Sequence, residues 1–508
     1  MRNAKCGFVG LMASFVVVAC GGGGDSAAPP SGSTPQRGAL LQTPPMLVAS
    51  YSVADLLAQL AASDVGELVL QLAYTPKCAI DIYHLEYETV GGASEPTTAS
   101  GALMIATGTD ATCSGARPIV LYAHGTNTDR NFNIADLSGS ANPEGLLLAA
   151  VFASAGYIVV APNYAGYDTS TLPYHPYLNG DQQSKDMIDA LTAARSALPT
   201  LSGSSVTDGG KLFITGYSQG GYVAMATHSA LQNSGAAVTA SAPMSGPYAL
   251  AAFGDAIFYG HVSLSGPANM TLLTSSYQHS YGNVYSEPTD VFEPQFATGI
   301  ESLLPSATAI SDLYNEGKLP ATELFSSTPP AATWAAYTPP TTPTFLAPIF
   351  AMGFGSDNLI LNSYRLAYLE DAQSAPDGGF PTTTTGLPPA SPDNTLRQDL
   401  KLNDLRAWTP NAPVLLCGGD EDPTVFYFNT QLMQNYWGTH VPTGATSVLD
   451  VDAVASGADP YASLQSAFAV AKAVVAADGG EAAVLADYHA GLVAPFCVAA
   501  VRLFFDGL

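Results

Sequence analysis

Residues 214–222, ITGYSQGGY, set one serine, Ser218, between glycines at positions i−2 and i+2. The apolar run LFIT predicts a strand before this motif, and the segment from Gln219 onward predicts a helix after it. Such a context holds a serine on a strained turn with its hydroxyl exposed, and Gly216 and Gly220 let neighbouring backbone approach. We therefore predict that Ser218 is a nucleophile. The alternative is a glycine-rich turn that only caps a helix.

A carbonyl under attack by this serine would need backbone N–H donors for its developing negative charge. The N–H of Gln219, at the predicted helix start, is one expected donor. The other is expected from a loop that follows a different strand, and His124-Gly125-Thr126 follows the apolar run PIVLYA. We predict that the N–H of Thr126 completes an oxyanion hole with that of Gln219.

Strand-like and helix-like segments alternate on both sides of the motif. The apolar strands are nearly continuous, which is typical of a parallel sheet that is covered on both faces by helices. An antiparallel hairpin, 78–90 and 97–106, precedes them. The pattern predicts an α/β fold with a mostly parallel central sheet. Its predicted strands are 118–123, 157–161, 212–215, 238–242 and 413–417, and its predicted helices are 145–155, 182–198 and 219–232.

A serine hydroxyl needs an imidazole to accept its proton and a carboxylate to orient that imidazole. In this fold class the expected chain order is serine, acid, histidine. Of the eight histidines, His440 and His489 follow the last predicted strand. His489 precedes a terminal apolar helix and is our predicted base. His440 ends a predicted helix, where an imidazole suits the helix dipole.

The acid is expected in the loop GGDEDPTV, residues 418–425, because this loop leaves a strand at the carboxyl edge of the sheet. We predict Asp422, which precedes Pro423 and a helix start, and Asp420 is the runner-up. The other carboxylates of the loop are expected to be solvated.

Six cysteines are present, and the four at positions 78, 113, 417 and 497 allow three pairings. Cys78 and Cys113 flank the predicted hairpin, whose antiparallel strands bring their ends together. Cys417 ends the acid strand and Cys497 follows the histidine loop. We predict the disulfides Cys78–Cys113 and Cys417–Cys497, and the cysteine spacing is not that of a metal site.

The chain of 508 residues carries 42 Asp and Glu against 16 Lys and Arg, a net charge of −26, which disfavours nucleic acid as a partner. Residues 1–19 have a basic start and an apolar run, as an export signal has. The end of this run at Cys20 resembles a bacterial lipoprotein signal, and residues 20–45 are predicted to be a flexible tether. We expect an exported protein, held on the outer membrane by lipid at Cys20 or released.

The chain resembles the α/β-hydrolases and, among them, the secretory lipase family. The motifs that carry the resemblance are HGT at 124–126, APNYAGYD at 161–168, GYSQGG at 216–221, GGDEDPTV at 418–425 and YHAGLVAP at 488–495. The resemblance implies ester hydrolysis through an acyl-enzyme, without metal or organic cofactor. It also implies that residues 251–405 form a cap over the site, inserted between two parts of the hydrolase core, 46–250 and 406–508.

We therefore expect a secreted carboxylesterase or lipase that acts on a small-molecule or lipid ester. A serine exo-peptidase on the same fold is the alternative enzyme, and it would need carboxylates in the cap to hold a free amine. A surface lipoprotein that keeps the fold without chemistry is the alternative outside catalysis.

Overall fold

The computed structural model describes residues 36–508, except 63, 73–74, 138–141 and 458. The predicted signal, Cys20 and most of the predicted tether lie outside the described residues. Residues 36–45 were also assigned to the flexible tether, but the structure differs there. Gly38 and Leu41 donate backbone hydrogen bonds to the carbonyl oxygens of Glu88 and Glu86 at 2.8 and 2.9 Å. This segment is fixed on the hairpin because its backbone finds partners there.

Strands and helices alternate along most of the described chain. The strands are β1 (Met46–Tyr51), β2 (Ala79–Val90), β3 (Pro96–Thr107), β4 (Gly115–Ala123), β5 (Ile158–Pro162), β6 (Val206–Tyr217), β7 (Ala240–Met244), β8 (Phe325–Ser326), β9 (Phe354–Gly355), β10 (Val414–Gly418) and β11 (Thr446–Asp450). The helices are α1 (Val53–Leu60), α2 (Asp64–Gln71), α3 (Pro143–Val151), α4 (Gly180–Ala197), α5 (Gln219–Asn233), α6 (Leu250–Phe258), α7 (Gly266–Tyr281), α8 (Pro294–Ala297), α9 (Ile310–Asn315), α10 (Ala347–Met352), α11 (Asn362–Ser374), α12 (Thr395–Leu402), α13 (Phe428–His440), α14 (Ala462–Asp487) and α15 (Ala494–Asp506).

Within the described residues, nine strands form one sheet in the order β1-β2-β3-β5-β4-β6-β7-β10-β11. The strands from β5 to β11 are mutually parallel, whereas β1, β2 and β3 pair antiparallel at one side. The α/β fold with a mostly parallel sheet is confirmed. The strands β1 and β11, at the two edges, were not predicted, because both are short and mostly exposed and so lack a buried apolar run.

The register of the parallel strands brings the predicted motifs to one edge of the sheet. Ala123 pairs with Gly216, and the next residue of β6, Tyr217, pairs with Met244 of β7. Met244 in turn pairs with Cys417 of β10. The loops that carry Thr126, Ser218 and Asp422 therefore leave the sheet side by side at its carboxyl edge.

Helices α6 to α12 lie between β7 and β10 in the chain, over the range predicted to be a cap. Buried ion pairs join three of them: the Arg397 guanidinium of α12 contacts Asp255 of α6 at 2.8 Å and Asp371 of α11 at 2.6 Å. All three side chains are at most 8 % exposed. Since α6 and α12 stand over the sheet edge, this cluster fixes the structure above the predicted site.

An apolar helical stretch, Ala462–Asp506, is long enough to cross a membrane by length and composition. Two observations assign it to the protein interior instead. Its most apolar window is 67 % buried, and α15 packs on β10 and β7 of the sheet. Gly480, with φ 74°, breaks the run within α14.

Candidate active site

Ser218 occupies the turn between β6 and α5 in a strained conformation, with φ 60° and ψ −122°. Such a backbone costs a non-glycine residue about 1–3 kcal/mol and persists only where the surroundings enforce it. Here the Ser218 N–H donates to the Met244 carbonyl at 3.0 Å, and the Gly221 N–H donates back to the Ser218 carbonyl at 2.9 Å. The turn thus holds the hydroxyl at the sheet edge.

The glycines around Ser218 are required by close backbone contacts. A Cβ on Gly220 would lie 1.9 Å from the Ala123 carbonyl oxygen, and one on Gly216 would lie 2.4 Å from the Gly220 carbonyl oxygen. Gly221 has the same constraint, because its Cβ would meet the Met244 carbonyl oxygen at 2.3 Å. The structure thus supplies the reason for the two glycines singled out in the sequence and adds a third.

Asp422 and His489 are in direct contact although 67 residues separate them: His489 Nδ1 lies 2.6 Å from Asp422 Oδ2. The other carboxylate oxygen accepts the N–H groups of Thr424 and Val425 at 2.8 and 3.0 Å. Asp422 is only 1 % exposed, and hydrogen bonds to both of its oxygens fix the orientation of its carboxylate. An Nδ1–H donated to Asp422 leaves Nε2 of His489 as the basic nitrogen.

His489 lies on a π-helical turn, Tyr488–Val493, between α14 and α15. Its Nε2 is buried and has no hydrogen-bond partner in the part of the chain that the structure describes. His489 and Ser218 line the same cavity. The imidazole nitrogen that would accept a proton is therefore uncommitted and shares a cavity with the serine.

Two tyrosines that the sequence reasoning missed hold this turn. The Tyr217 hydroxyl donates to the His489 carbonyl, and the two rings lie 4.9 Å apart. On the other side the Tyr488 hydroxyl donates to Asp452 at 2.7 Å and accepts the Glu421 N–H at 3.2 Å. Tyr217 stands next to Ser218 within the motif, but only tertiary structure shows what its hydroxyl contacts.

The comparisons with known proteins concern the fold that carries this site. A family model described as "Prolyl oligopeptidase family" matches residues 147–285. The crystal structure of the rice cell wall degrading esterase LipA from Xanthomonas oryzae is similar at 27 % identity and a TM-score of 0.63, over 89 % of this chain and 98 % of that one. The chain is an α/β-hydrolase. A hydrolase structure from Legionella pneumophila shows the same fold at 18 % identity and a TM-score of 0.61, over 92 % of this chain and 97 % of that one. No curated protein matches the chain.

The predicted oxyanion donors of this α/β-hydrolase both lie at the cavity. Gln219 starts α5, and the first N–H groups of a helix have no partner within the helix. Thr126 lines the cavity, and its hydroxyl lies 3.0 Å from that of Tyr177. A Cβ on the neighbouring Gly125 would lie 3.7 Å from the Ser218 Cβ, so this loop runs beside the serine.

Buried His175 contacts the Gln219 side chain and holds it in place. Its Nε2 lies 2.7 Å from the Gln219 amide nitrogen, and its Nδ1 lies 3.0 Å from the Ala165 carbonyl oxygen. Burial lowers the pKa of His175 to about 3, so the ring is neutral and accepts from the amide. The sequence offered no signal for this role, because His175 is remote from the motif along the chain.

Glu144, in the first turn of α3, holds the loop that carries Gly125 and Thr126, and the sequence reasoning also missed it. Its two carboxylate oxygens each lie 3.1 Å from the Gly125 nitrogen, and the Tyr122 hydroxyl donates to one of them at 2.7 Å. Burial raises the pKa of this carboxyl group. Since Glu144 already accepts the Gly125 N–H, the neighbouring Thr126 N–H remains the predicted oxyanion donor of this loop.

Glu144→Gln is expected to lower kcat/KM about 10- to 100-fold, less than the 10²–10³ that loss of an oxyanion donor typically costs. Glutamine keeps one acceptor oxygen but loses the charge and the second acceptor. Steady-state kinetics on an activated ester measure the effect. Tyr122→Phe is the matched control, because it removes the other hydrogen bond of Glu144 and leaves Gly125 bound. Equal losses in the two variants would contradict a role of Glu144 through the loop.

The two alternatives from the sequence lie elsewhere. His440 is exposed at the end of α13, where its Nδ1 lies 2.7 Å from the Tyr436 carbonyl oxygen and its ring stacks on Tyr436. Asp420 is exposed and lines a second cavity. Neither lines the cavity of Ser218.

Both predicted disulfides are present, and one of them joins the acid and base segments. Cys417, the last but one residue of β10, lies five residues before Asp422 and bonds to Cys497 of α15, eight residues after His489. Cys78–Cys113 joins the two ends of the hairpin, away from the site.

We expect the two disulfides to stabilise the protein to a similar degree but to differ in their effect on activity. Cys417→Ala/Cys497→Ala and Cys78→Ala/Cys113→Ala should each cost about 2–5 kcal/mol of unfolding free energy. Only the first pair should also lower kcat of the folded fraction, because it releases the acid loop from the base helix. Denaturant unfolding and active-site titration measure the two effects. A similar kcat loss in both variants would contradict this assignment.

The serine lies in a cavity of about 770 Å³. One wall is the core, with Gly125, Ser218 and His489, and the opposite wall is apolar and comes from helices between β7 and β10. The apolar residues of these helices at the cavity are Leu250, Phe253, Ile257, Phe258, Met270, Leu273, Leu396 and Leu400. Such a cavity accommodates an apolar group beside the hydroxyl. Among the described residues no group of three or more His, Cys, Asp or Glu side chains could hold a metal ion.

Proposed function

We propose that this α/β-hydrolase is a carboxylesterase or lipase that uses Ser218, His489 and Asp422 as a catalytic triad. The observation that carries the proposal is the 2.6 Å contact between His489 and Asp422, with a free imidazole nitrogen at the cavity of Ser218. Ser218 attacks the ester carbonyl while His489 Nε2 accepts its proton. The N–H groups of Gln219 and Thr126 stabilise the oxyanion.

The acyl-enzyme then forms as His489 returns the proton to the leaving alcohol, and water repeats the attack to release the acid. Asp422 orients the imidazole and stabilises its cation throughout. The apolar wall favours an acyl or alkyl group over a charged one, and the similarity to an esterase from Xanthomonas oryzae supports an ester as substrate.

A p-nitrophenyl ester series of increasing acyl length tests this function on protein that lacks residues 1–20. We expect saturable hydrolysis of the wild type, with a preference for the acyl lengths that the cavity accepts. A protein that hydrolyses none of these esters and reacts with no fluorophosphonate probe would be a surface lipoprotein without catalysis.

A serine peptidase is the second candidate, because the prolyl oligopeptidase family model covers 147–285, which includes Ser218. Glu144 offers no free carboxylate for a substrate amine, since both oxygens already accept hydrogen bonds from the protein. Aminoacyl p-nitroanilides, assayed beside the esters, separate the two activities. A higher kcat/KM for the anilides would replace the esterase proposal by the peptidase.

We further propose that the enzyme is exported, that lipid at Cys20 holds it on a membrane, and that residues 251–405 act as its cap. Two disulfides support an oxidising compartment, since they are rare in the reducing cytosol. Mass spectrometry of protein from the native host tests the anchor. A mature chain that begins elsewhere than at a lipid-modified Cys20 would reject it.

A further inference from the structure

A second cavity, of about 350 Å³, is lined by Asp420, Glu421 and Asp422 of the acid loop and does not include His489. Its walls come from the loop after β10 and from the insertion between β7 and β10. Six of its lining residues are aromatic: Phe345, Phe350, Phe380, Phe426, Tyr427 and Phe428. The mechanism proposed above uses none of these rings.

Four of these aromatic rings form one connected layer. The ring of Phe426 lies 5.9 Å from that of Phe350 and 6.1 Å from that of Phe428, which lies 6.0 Å from Phe380. Phe253, at the wall of the first cavity, contacts Phe426 and Phe428 at 5.5 and 6.3 Å. This layer separates the second cavity from the cavity that contains Ser218, which we call the ester cavity. A ligand can therefore bind in the second cavity whether or not the ester cavity is occupied.

Carboxylates of the acid loop line the same cavity, and one of them makes no ion pair with any described residue. Asp420 and Glu421 line it, and its described lining contains no lysine or arginine. Glu421 is paired with Lys472 at 2.6 Å, whereas Asp420 has no ion pair within 4.0 Å in the described part of the chain. Partial desolvation and the neighbouring carboxylates of Asp452 and Glu421 raise the pKa of Asp420, and the charge of Lys472 offsets this rise only in part.

His261 also lines this cavity but supplies no opposing charge. Its ring packs edge-on against Phe350 and Phe380, with centroids 4.8 and 5.1 Å apart. Burial lowers the pKa of the imidazole, so it is neutral at neutral pH. The cavity therefore combines aromatic walls with a carboxylate, Asp420, that makes no ion pair in the described part of the chain, and no lysine or arginine of that part lines it.

We propose that this second cavity is a binding site for a small organic cation of the alkylammonium type. The faces of aromatic rings attract such cations, and the attraction is largest where water is displaced. Asp420 adds a carboxylate at hydrogen-bonding and Coulombic range. The volume suits a single head group. The site is distinct from the triad and does not depend on the proposed esterase activity.

Choline and its uncharged isostere 3,3-dimethyl-1-butanol test the proposal, because the two differ in charge and little in shape. Isothermal titration uses the full-length Ser218→Ala protein, so that no turnover interferes. We expect saturable binding of choline at least about tenfold tighter than that of the alcohol. A fluorophosphonate on the wild type should leave choline binding unchanged if the cation occupies the second cavity rather than the ester cavity.

Two variants at exposed positions locate the site. Asp420→Asn removes the charge, and Phe345→Leu, at a side chain 42 % exposed, removes an aromatic face and keeps an apolar one. Each should weaken choline binding at least about fivefold, whereas Asp181→Asn, an equal charge change on remote α4, should leave it unchanged. Equal affinity for choline and the alcohol, absence of binding, or affinity that survives both variants would each overturn the proposal.

Discussion

Ser218→Ala and His489→Ala are each expected to lower kcat by about five to six orders of magnitude, with little further loss when they are combined. Members of a triad act as one unit, so removal of either abolishes the same step. The remaining rate, about 10³–10⁴ above the uncatalysed reaction, comes from the oxyanion hole and substrate binding. Steady-state kinetics measure the loss, and fluorophosphonate labelling should vanish in Ser218→Ala. Unchanged circular dichroism would show that the fold persists.

The matched controls are the two residues that the sequence offered as alternative candidates for the base and the acid. His440→Ala and Asp420→Asn should keep activity near the wild-type level, because both side chains lie away from the serine cavity. Asp422→Asn should lower kcat about 10⁴-fold, since an amide at that position favours the wrong tautomer of His489. A large loss in His440→Ala with full activity in His489→Ala would reassign the base.

Arg397→Met should be among the most destabilising single changes away from the triad, at about 3–5 kcal/mol of unfolding free energy. The guanidinium donates to both oxygens of Asp255, at 2.9 and 2.8 Å, and to Asp371 at 2.6 Å. Methionine would leave two buried carboxylates without their cation. A lower midpoint of denaturant unfolding measures the effect, and weaker binding of esters should accompany it because α6 and α12 wall the cavity.

A double-mutant cycle separates this charge effect from loss of packing. The double variant Arg397→Met/Asp255→Asn should lose less unfolding free energy than the sum of the losses in its two single variants, because it removes both members of the pair. Lys318→Met, at an exposed lysine paired with Glu316, is the surface control and should change stability by less than about 1 kcal/mol. Additive losses in the cycle would show that packing, not charge, dominates at Arg397.

The core of the fold was readable in the sequence because its strands are buried on both faces. The runs at 118–123 and 212–215 fall within strands of the sheet, and those at 157–161 and 413–417 begin one residue before their strands. The predicted helix at 182–198 likewise falls on α4 within a few residues. The insertion was less readable, since the 16-residue α7 within it was not predicted. Buried serines and threonines in α7 remove the polar and apolar alternation on which such a prediction depends.

At the site, the residues on parallel strand ends could be predicted, since chain order and edge position determine where they meet. The residues that hold them could not. Glu144 reaches Gly125 from 19 positions away, and His175 reaches Gln219 from 44. No local pattern encodes these contacts, because they depend on how helices and loops pack over the sheet. The aromatic cavity at Asp422 depends on packing in the same way.

The two walls of the ester cavity come from separate parts of the chain. The proposed catalytic groups lie at the sheet edge, whereas the groups proposed to meet the apolar portion of a substrate belong mostly to α6, α7 and α12. An engineer could therefore exchange side chains such as Met270 or Leu273 to alter which compounds are accepted, without disturbing the machinery beneath. Selectivity and turnover in this enzyme should thus be adjustable one at a time.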